Sequence, residues 1–146
     1  MILSLYFLFG GVFSFATRGI AMSAQRFLVK GIGLQGVLEI GDTNPSIDWA
    51  EREWLVHPSD LKFKVDAQDP RRPVVLIKCD QGDCVTDRNV KLGTLQKTVL
   101  SRFGAPLQKK QLKNDRIFFG YHGVGFEFVN NRVHSIYIFP RFEKAK

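Results

Sequence analysis

The sequence predicts an α+β fold with two helix-plus-antiparallel-hairpin repeats, the helices packed on antiparallel sheet. Thirteen Phe residues in a chain of 146 favour sheet packing over a Leu-rich helical bundle. Several segments alternate apolar and polar residues, which is typical of strands with one solvated face. Two helix-like segments occur in corresponding positions, and both are too short to be stable unless they pack on a sheet.

The first repeat is expected at about residues 36–80. Ile47, Ala50 and Trp54 recur at helical spacing, which predicts a helix with one apolar side. The segment LKFKVDA then alternates apolar and polar residues, and PVVLIKC is an apolar, β-branched run suited to a buried strand. This repeat therefore predicts one helix followed by two strands.

The second repeat is expected at about residues 88–140, in the same order. A helix with apolar residues at a spacing of four is predicted between Thr94, its cap, and Gly104, its left-handed stop. LQKKQLKND is interpreted as a basic loop, and RIFFGY, GVGFEFV and RVHSIYIF as three strands. The last two strands join across Asn130-Asn131, a pair suited to a tight hairpin turn.

This second segment carries a family resemblance. The pattern LGTLQKTVLSRFGAP…FFGYHGVGFEFVNNRVHSIYIF resembles the helix-then-hairpin unit of small outer-membrane lipoproteins of the SmpA/OmlA type. Tandem copies of a similar unit occur in the β-lactamase-inhibitory proteins. The pattern is also similar to segments of the phagosome assembly factor family, which carry Leu-Gly-Thr, Gly-x-Pro and a closing Gly-Val-x-Phe hairpin. The resemblance implies a protein-binding module without catalytic activity.

Residues 1–24 are expected to form an apolar signal peptide or membrane anchor, followed by a single domain at 25–146. The first 17 residues carry no charged side chain, and the small residues Ser14 and Ala16 fit a cleavage site. Basic residues follow this segment and none precedes it, which favours a reverse anchor on the positive-inside rule. Met22 could also be the true start of a cytosolic protein. The sequence leaves these alternatives open.

Cys79 and Cys84 enclose the turn-like segment DQGD. This spacing is compatible with a disulfide across a turn if the chain is exported. In the cytosol the same pair would remain reduced thiols. The pair is neither a Cys-x-x-Cys redox motif nor a four-ligand zinc set, so we expect no metal here.

No catalytic residue is predicted. His57, His122 and His134 have no Ser, Cys or carboxylate beside them in a recognisable catalytic order. We therefore expect no enzymatic activity, no cofactor and no metal.

The glycine-rich string GYHGVGF does not predict a phosphate loop. A strand follows it where that mechanism requires a helix N-terminus. Gly120, Gly123 and Gly125 are better explained by a bulge or a sharp hairpin bend.

The net charge of +7 favours an anionic partner. We place partner binding on the basic loop through Lys109, Lys110, Lys113 and Arg116, and on the open face of the sheet. An acidic protein face is the first partner considered, an anionic membrane surface is possible, and nucleic acid is the third candidate.

The predicted function is therefore a non-enzymatic protein-binding module that uses a sheet face and a basic loop. We expect it to be periplasmic or secreted, with membrane anchoring as a possibility. The alternative is a cytosolic nucleic-acid-binding or adaptor domain that starts near Met22.

Overall fold

A computed structural model describes residues 25–43 and 54–141 of the chain. In these residues the chain forms eleven strands and one helix. In chain order the elements are β1 (Arg26–Leu28), β2 (Gly33–Leu34), β3 (Leu38–Glu39), β4 (Leu55–Val56), β5 (Lys62–Val65), β6 (Val74–Cys79), β7 (Cys84–Thr86), α1 (Gln96–Phe103), β8 (Gln108–Gln111), β9 (Ile117–Gly120), β10 (Val124–Val129) and β11 (Arg132–Ile138).

Seven strands form one antiparallel sheet in the order β4-β5-β6-β11-β10-β9-β8. The sheet consists of two meanders, β4 to β6 and β8 to β11, joined where β6 pairs with β11. In that junction Ile136 lies opposite Cys79, and Ile138 lies opposite Ile77. The last strand of the described residues, β11, therefore lies at the centre of the sheet.

One side of this sheet, which we call the inner face, carries the core. Phe126, Phe128, Ile136 and Ile138 alternate inward along β10 and β11, and all are buried. This follows from the period of two in a strand, which turns every second side chain to the same side. The inner face is therefore a continuous apolar layer.

The helix and the smaller sheets cover the inner face. In α1, Val99 is fully buried, and the ring of Phe103 lies 5.2 Å from the rings of both Tyr121 and Phe126. Strand β1 pairs with β7 in parallel, β2 pairs with β3, and Leu28 and Leu38 from these strands join the same core cluster. The molecule thus has two layers, as the burial of one apolar sheet face requires.

The prediction of two helix-plus-hairpin repeats is wrong. The described residues contain one short helix, and the strands of both segments pair into a single mostly β structure. The physical reason is the β6–β11 junction, which joins the strands of both segments into one sheet, so that α1 and the smaller sheets cover a single shared apolar face. Ile47 and Ala50, in the predicted first helix, lie outside the described residues, and Trp54 directly precedes β4.

Most of the individual strand predictions are confirmed. LKFKVDA contains β5, PVVLIKC contains β6, and the three final runs contain β9, β10 and β11. Asn130 and Asn131 both have positive φ, at 51° and 64°, as a tight hairpin turn requires. The predicted basic loop is wrong over Gln108–Gln111, which is strand β8.

The second predicted helix is present, but its cap differs from the prediction. Residue Leu95 occupies the N-cap without a side-chain bond, while the hydroxyl of Thr94 accepts a bond from the N–H of Lys91 at 2.9 Å. Gly104 ends the helix at φ 81°, as predicted, and its N–H donates to the carbonyl of Leu100.

The N-terminal predictions concern residues 1–24, which lie outside the described residues. Within residues 25–43 and 54–141, no helix is long and apolar enough to cross a membrane. The boundaries of the single domain stay a prediction.

Candidate functional site

The side of the main sheet that points away from α1 differs in chemistry from the inner face. We call it the outer face. The side chains that share it, from β4 towards β8, alternate with the core residues in register and are listed here: Lys62, Lys64, Lys78, Tyr137, Glu127, Phe118 and Lys110. It is therefore a surface of cations and aromatic rings with one carboxylate between them.

A cation and ring cluster lies at the β4 end of the outer face. The Nζ atoms of Lys64 and Lys78 lie 4.7 and 5.2 Å from the ring centre of Trp54. The rings of Trp54 and Tyr137 are 6.4 Å apart. Cations over an indole ring are attracted by its negative face, so this cluster holds two positive charges in fixed positions.

Asp80 links the cluster to β5. Its carboxylate lies 2.7 Å from Nζ of Lys62 and 3.8 Å from Nζ of Lys78. Burial raises the pKa of Asp80, but the hydrogen bond from Lys62 and the charges of both lysines outweigh it and hold the pKa below its ordinary value. Asp80 is therefore ionised and neutralises part of the local positive charge.

Glu127 is the central acidic group of the outer face, and its side chain is only 8% exposed. It lies 3.2 Å from a guanidinium nitrogen of Arg116 and 3.6 Å from Nδ1 of His134. The hydroxyl of Tyr137 donates to it at 3.4 Å. Burial, and then the charge and hydrogen bond of Glu127, raise the pKa of Tyr137 to about 12.

Phe118 lies flat across the outer face because two glycines face it. Gly120 and Gly125 are directly opposite each other in register. A Cβ at Gly125 would stand 2.5 Å from Cζ of Phe118, and one at Gly120 would stand 3.2 Å from its Cε1. We predicted a bulge or bend at these two glycines. In the structure they instead leave room for the aromatic ring of Phe118.

Strand β8 is the end strand of the sheet, and all four of its residues are exposed. We call β8 with the turn 112–116 the basic edge. Leu112 donates its N–H to the carbonyl of Arg116 opposite it. Because bonded and non-bonded pairs alternate in an antiparallel ladder, Lys110 also bonds towards β9, while the backbone groups of Lys109 and Gln111 point away from the sheet.

The structure does not gather the four predicted partner-binding residues into one patch. Lys109 turns to the inner side, where its Nζ lies 5.7 Å from the ring of Phe119. Lys110 faces the outer side, Lys113 is exposed in the turn, and Arg116 is bound to Glu127. Lys109, Lys110 and Lys113 thus remain as exposed cations along one edge. Arg116 is only partly exposed, because its guanidinium forms an ion pair with Glu127.

Sequence reasoning missed Trp54, Lys64, Lys78 and Tyr137 as surface residues. A signal existed for part of this set, since the alternation in LKFKVDA places Lys62 and Lys64 on one side of a strand. The position of Trp54 had no such signal, because its helical spacing with earlier residues favoured a different element.

Cys79 and Cys84 form a disulfide, with their Cα atoms 6.7 Å apart. The bond joins the end of β6 to the start of β7, and both residues are buried. The side chain of Arg26 spans the intervening turn, donating to the carbonyls of Ser59 and Gln81 at 2.6 Å. The conditional disulfide prediction is confirmed, and a disulfide fits an extracellular protein.

The described residues contain no group of three His, Cys, Asp or Glu that could hold a metal ion. His57 contacts Ser59 only two residues away, where its Nδ1 accepts the N–H of Ser59 in a local turn. His134 contacts Glu127 within the outer-face network, and it is exposed. The first contact stabilises a local turn, and the second belongs to the polar network around Glu127.

No protein-family model matches the chain, and no curated protein or solved structure gives a match. The resemblance to the SmpA/OmlA-type unit therefore stays a prediction.

Proposed function

We propose that this chain is a non-enzymatic protein-binding module that captures an extended, acidic segment of a partner along the basic edge. The observation that carries this proposal is the exposed end strand β8 with Lys109 and Lys110, followed by Lys113 in its turn. An unpaired strand edge can accept a further strand, with main-chain hydrogen bonds supplying affinity.

The charges on the basic edge select among the strands that could pair with it. Lysines on an edge strand oppose pairing with another basic strand, which is a common protection against aggregation. A second copy of this chain, paired through β8, would bring lysines close together. An acidic segment would meet them with attraction, which also raises the association rate and fixes orientation.

The outer face extends this surface inward from the edge. Lys110 lies directly opposite Phe118 in register, and the ring of Phe118 lies 5.9 Å from that of Tyr137. A segment paired with β8 could therefore rest its outer side chains on an aromatic row. Tyr and Trp are enriched among the residues that dominate binding energy at interfaces.

The test compares charge reversal on the edge with a matched reversal elsewhere. Lys109→Glu with Lys110→Glu changes two exposed lysines of β8, and Lys91→Glu with Lys97→Glu changes two exposed lysines near and within α1. Wild-type and variant proteins are titrated in solution into fluorescently labelled synthetic peptides of about ten residues that are rich in Glu and Val, and binding is followed by fluorescence anisotropy. We expect the edge variant to bind at least about tenfold more weakly and the control to bind like wild type.

Equal losses in the two variants would show that only net charge matters and would overturn strand capture at β8. Amide chemical shifts provide a second readout, since strand addition should move the resonances of Lys109 and Gln111, whose backbone groups point outward. Shifts confined to other elements would also contradict the proposal.

We propose that this module is located in the cell envelope or the secreted space, either free or anchored to a membrane. The Cys79–Cys84 bond supports the proposal because disulfides persist in oxidising compartments. The intact mass of protein from its own cells, measured with thiol alkylation, should show two blocked cysteines and a shortened N-terminus. A chain beginning at Met22 with two free thiols would favour the cytosolic adaptor instead.

Single-stranded nucleic acid is the second candidate, since Trp54, Tyr137 and Phe118 form a row of rings flanked by lysines. Such rows stack bases in other single-strand binders. The buried carboxylate of Glu127 lies in the same row and would repel phosphates. Binding that falls steeply with salt and is lost in Lys64→Glu would favour this candidate over the peptide.

A further inference from the structure

A cleft of about 190 Å³ lies at the end of the main sheet, on the inner side and away from the outer face. Its apolar wall comes from Phe103 at the end of α1, from Leu107, which precedes β8, and from Val124 of β10. Leu107 is 61% exposed, which is high for a large apolar side chain. The cleft therefore presents apolar surface that the described chain leaves uncovered.

Three cationic or basic side chains line the same cleft, namely Lys30, Arg88 and His122. They come from three separate parts of the sequence. No carboxylate lines the cleft, and none of the three forms an ion pair with a carboxylate among the described residues. The cleft thus combines an apolar wall with unneutralised positive charge.

Two glycines bring Lys30 and His122 together. The N–H of Gly31 donates to the carbonyl of Gly123 at 2.9 Å, and both glycines have φ near 76°. A Cβ at Gly123 would stand 2.6 Å from the backbone nitrogen of Gly31. Only glycine permits this approach. The backbone contact between the two glycines therefore fixes the positions of the neighbouring residues Lys30 and His122 on one side of the cleft.

Arg88 is held in place on the other side. Its guanidinium lies over the ring of Phe103, 5.0 Å from the centroid, and its Nη1 donates to the carbonyl of Arg102 at 2.8 Å. A guanidinium has five N–H donors in a planar fork, and among the described residues only the carbonyl of Arg102 accepts from Arg88, so its other donors can bind a ligand. Prior immobilisation reduces the entropy that binding would cost.

The volume of the cleft limits the size of the ligand's apolar group. An engineered apolar cavity of about 150 Å³ holds a benzene molecule, so this cleft has room for one ring or one branched alkyl group. A planar fork beside that space matches a carboxylate, which it can bind through two parallel hydrogen bonds. The two constraints together define a small ligand with one apolar group and one negative charge.

We infer that this cleft is a binding site for a carboxylate that carries a single apolar group of about benzene size. Arg88 and Lys30 bind the carboxylate, and the group rests against Phe103, Leu107 and Val124. The ligand is either a free organic acid or the C-terminal residue of a peptide, since both present the same chemistry. The site is independent of the basic edge and of the function proposed for it.

The test is a titration of the full chain, labelled with nitrogen-15, with phenylacetate, and with phenylacetamide as the uncharged match. We expect saturable shifts at Lys30, Leu107 and His122 with a dissociation constant of about 1 mM, as few atoms allow. Phenylacetamide should bind at least about tenfold more weakly. Equal binding of the two compounds, shifts outside the cleft, or no saturable shift would overturn the inference.

Arg88→Gln tests the assigned cation, with Arg71→Gln as a control at an exposed turn on a different part of the sheet. The first variant should bind phenylacetate at least about tenfold more weakly, and the second should bind like wild type. An Arg88→Gln protein with an otherwise unchanged amide spectrum and unchanged affinity would contradict the assignment.

A second arm distinguishes the two ligand sources. The peptide acetyl-Gly-Gly-Phe with a free C-terminus is compared with its C-terminal amide. If the free peptide binds about tenfold more tightly than phenylacetate and the amide does not bind, the site is assigned to a protein C-terminus. Binding of phenylacetate alone assigns it to a small organic acid. Binding of neither compound overturns the site.

Discussion

The two faces of the main sheet are made by the same strands and differ in how they are stabilised. The inner face is an apolar layer in which Phe126 and Ile136 are fully buried under α1. The outer face carries Lys78, Tyr137 and Glu127 at the positions between them, linked by ion pairs, hydrogen bonds and ring contacts. One strand sequence thus supports two kinds of chemistry through its alternation alone.

This difference indicates where stability and recognition reside. Burial of apolar surface is non-directional and large, whereas partly exposed ion pairs contribute little. The inner face should therefore dominate the free energy of unfolding, and the outer face should tolerate change. A surface that tolerates change while holding fixed charges is suited to binding.

The largest expected effect comes from truncating the same residue type on the two faces. Phe126→Ala removes a fully buried ring in contact with Phe103 and should lower the free energy of unfolding by about 3–5 kcal/mol. Phe118→Ala, on the half-buried outer side, should cost less than half as much. Urea denaturation measures both, and equal losses would break the comparison between the faces.

A smaller effect is expected where the outer face is tightly packed. Gly125→Ala places a methyl group 2.5 Å from Cζ of Phe118 and 3.1 Å from Cε1 of Phe139. We expect a loss of about 1–3 kcal/mol in the free energy of unfolding. In the Phe118→Ala background the loss should shrink, since the nearest ring is gone, and a double-mutant cycle measures that coupling. Additive losses would show that Gly125 has another role.

The smallest effect is electrostatic and concerns Tyr137. Its pKa is raised to about 12 by burial and then by Glu127. In Glu127→Gln the burial remains, so the pKa should fall only part of the way towards the ordinary 10.0. Asp80→Asn should lower it less, because Asp80 is the weakest of the groups that act on it. NMR titration of the Tyr137 ring carbon measures each value.

The same shift has a consequence for stability. Because the folded pKa of Tyr137 lies above that of an unfolded chain, the unfolded chain releases the phenol proton first. The contribution of Tyr137 is complete below about pH 10 and declines as the pH rises towards 12. A Tyr137→Phe variant should lack this part of the alkaline decline. An identical decline in the variant would contradict the assignment.

Local pattern was sufficient for the long strands. LKFKVDA alternates strictly, RVHSIYIF is rich in β-branched and aromatic residues, and Asn130-Asn131 favours positive φ, so β5, β11 and the turn between β10 and β11 could be predicted from neighbouring residues. Strand β8 could not, because Gln108 to Gln111 contain no apolar residue to alternate. Its pairing with β9 comes from the turn that joins them and leaves no trace in its own composition.

Long-range pairing was beyond the sequence. The contact of β6 with β11 joins residues 57 to 61 positions apart, and the sequence of neither strand indicates which strand it pairs with. The tandem-repeat interpretation was wrong because it paired each segment with itself. The cleft was missed for the same reason, since Lys30 and His122 meet only through the backbone contact of Gly31 with Gly123.

The central place of β11 has a consequence for how the chain is made. During synthesis β4 to β6 emerge early, and β8 to β10 follow, but neither meander can complete its pairing until β11 has left the ribosome or translocation channel. Until then β6 offers an unpaired, apolar edge to any other nascent strand. The last strand therefore closes the sheet in one late step, and the time before that step is when a chaperone would have most to protect.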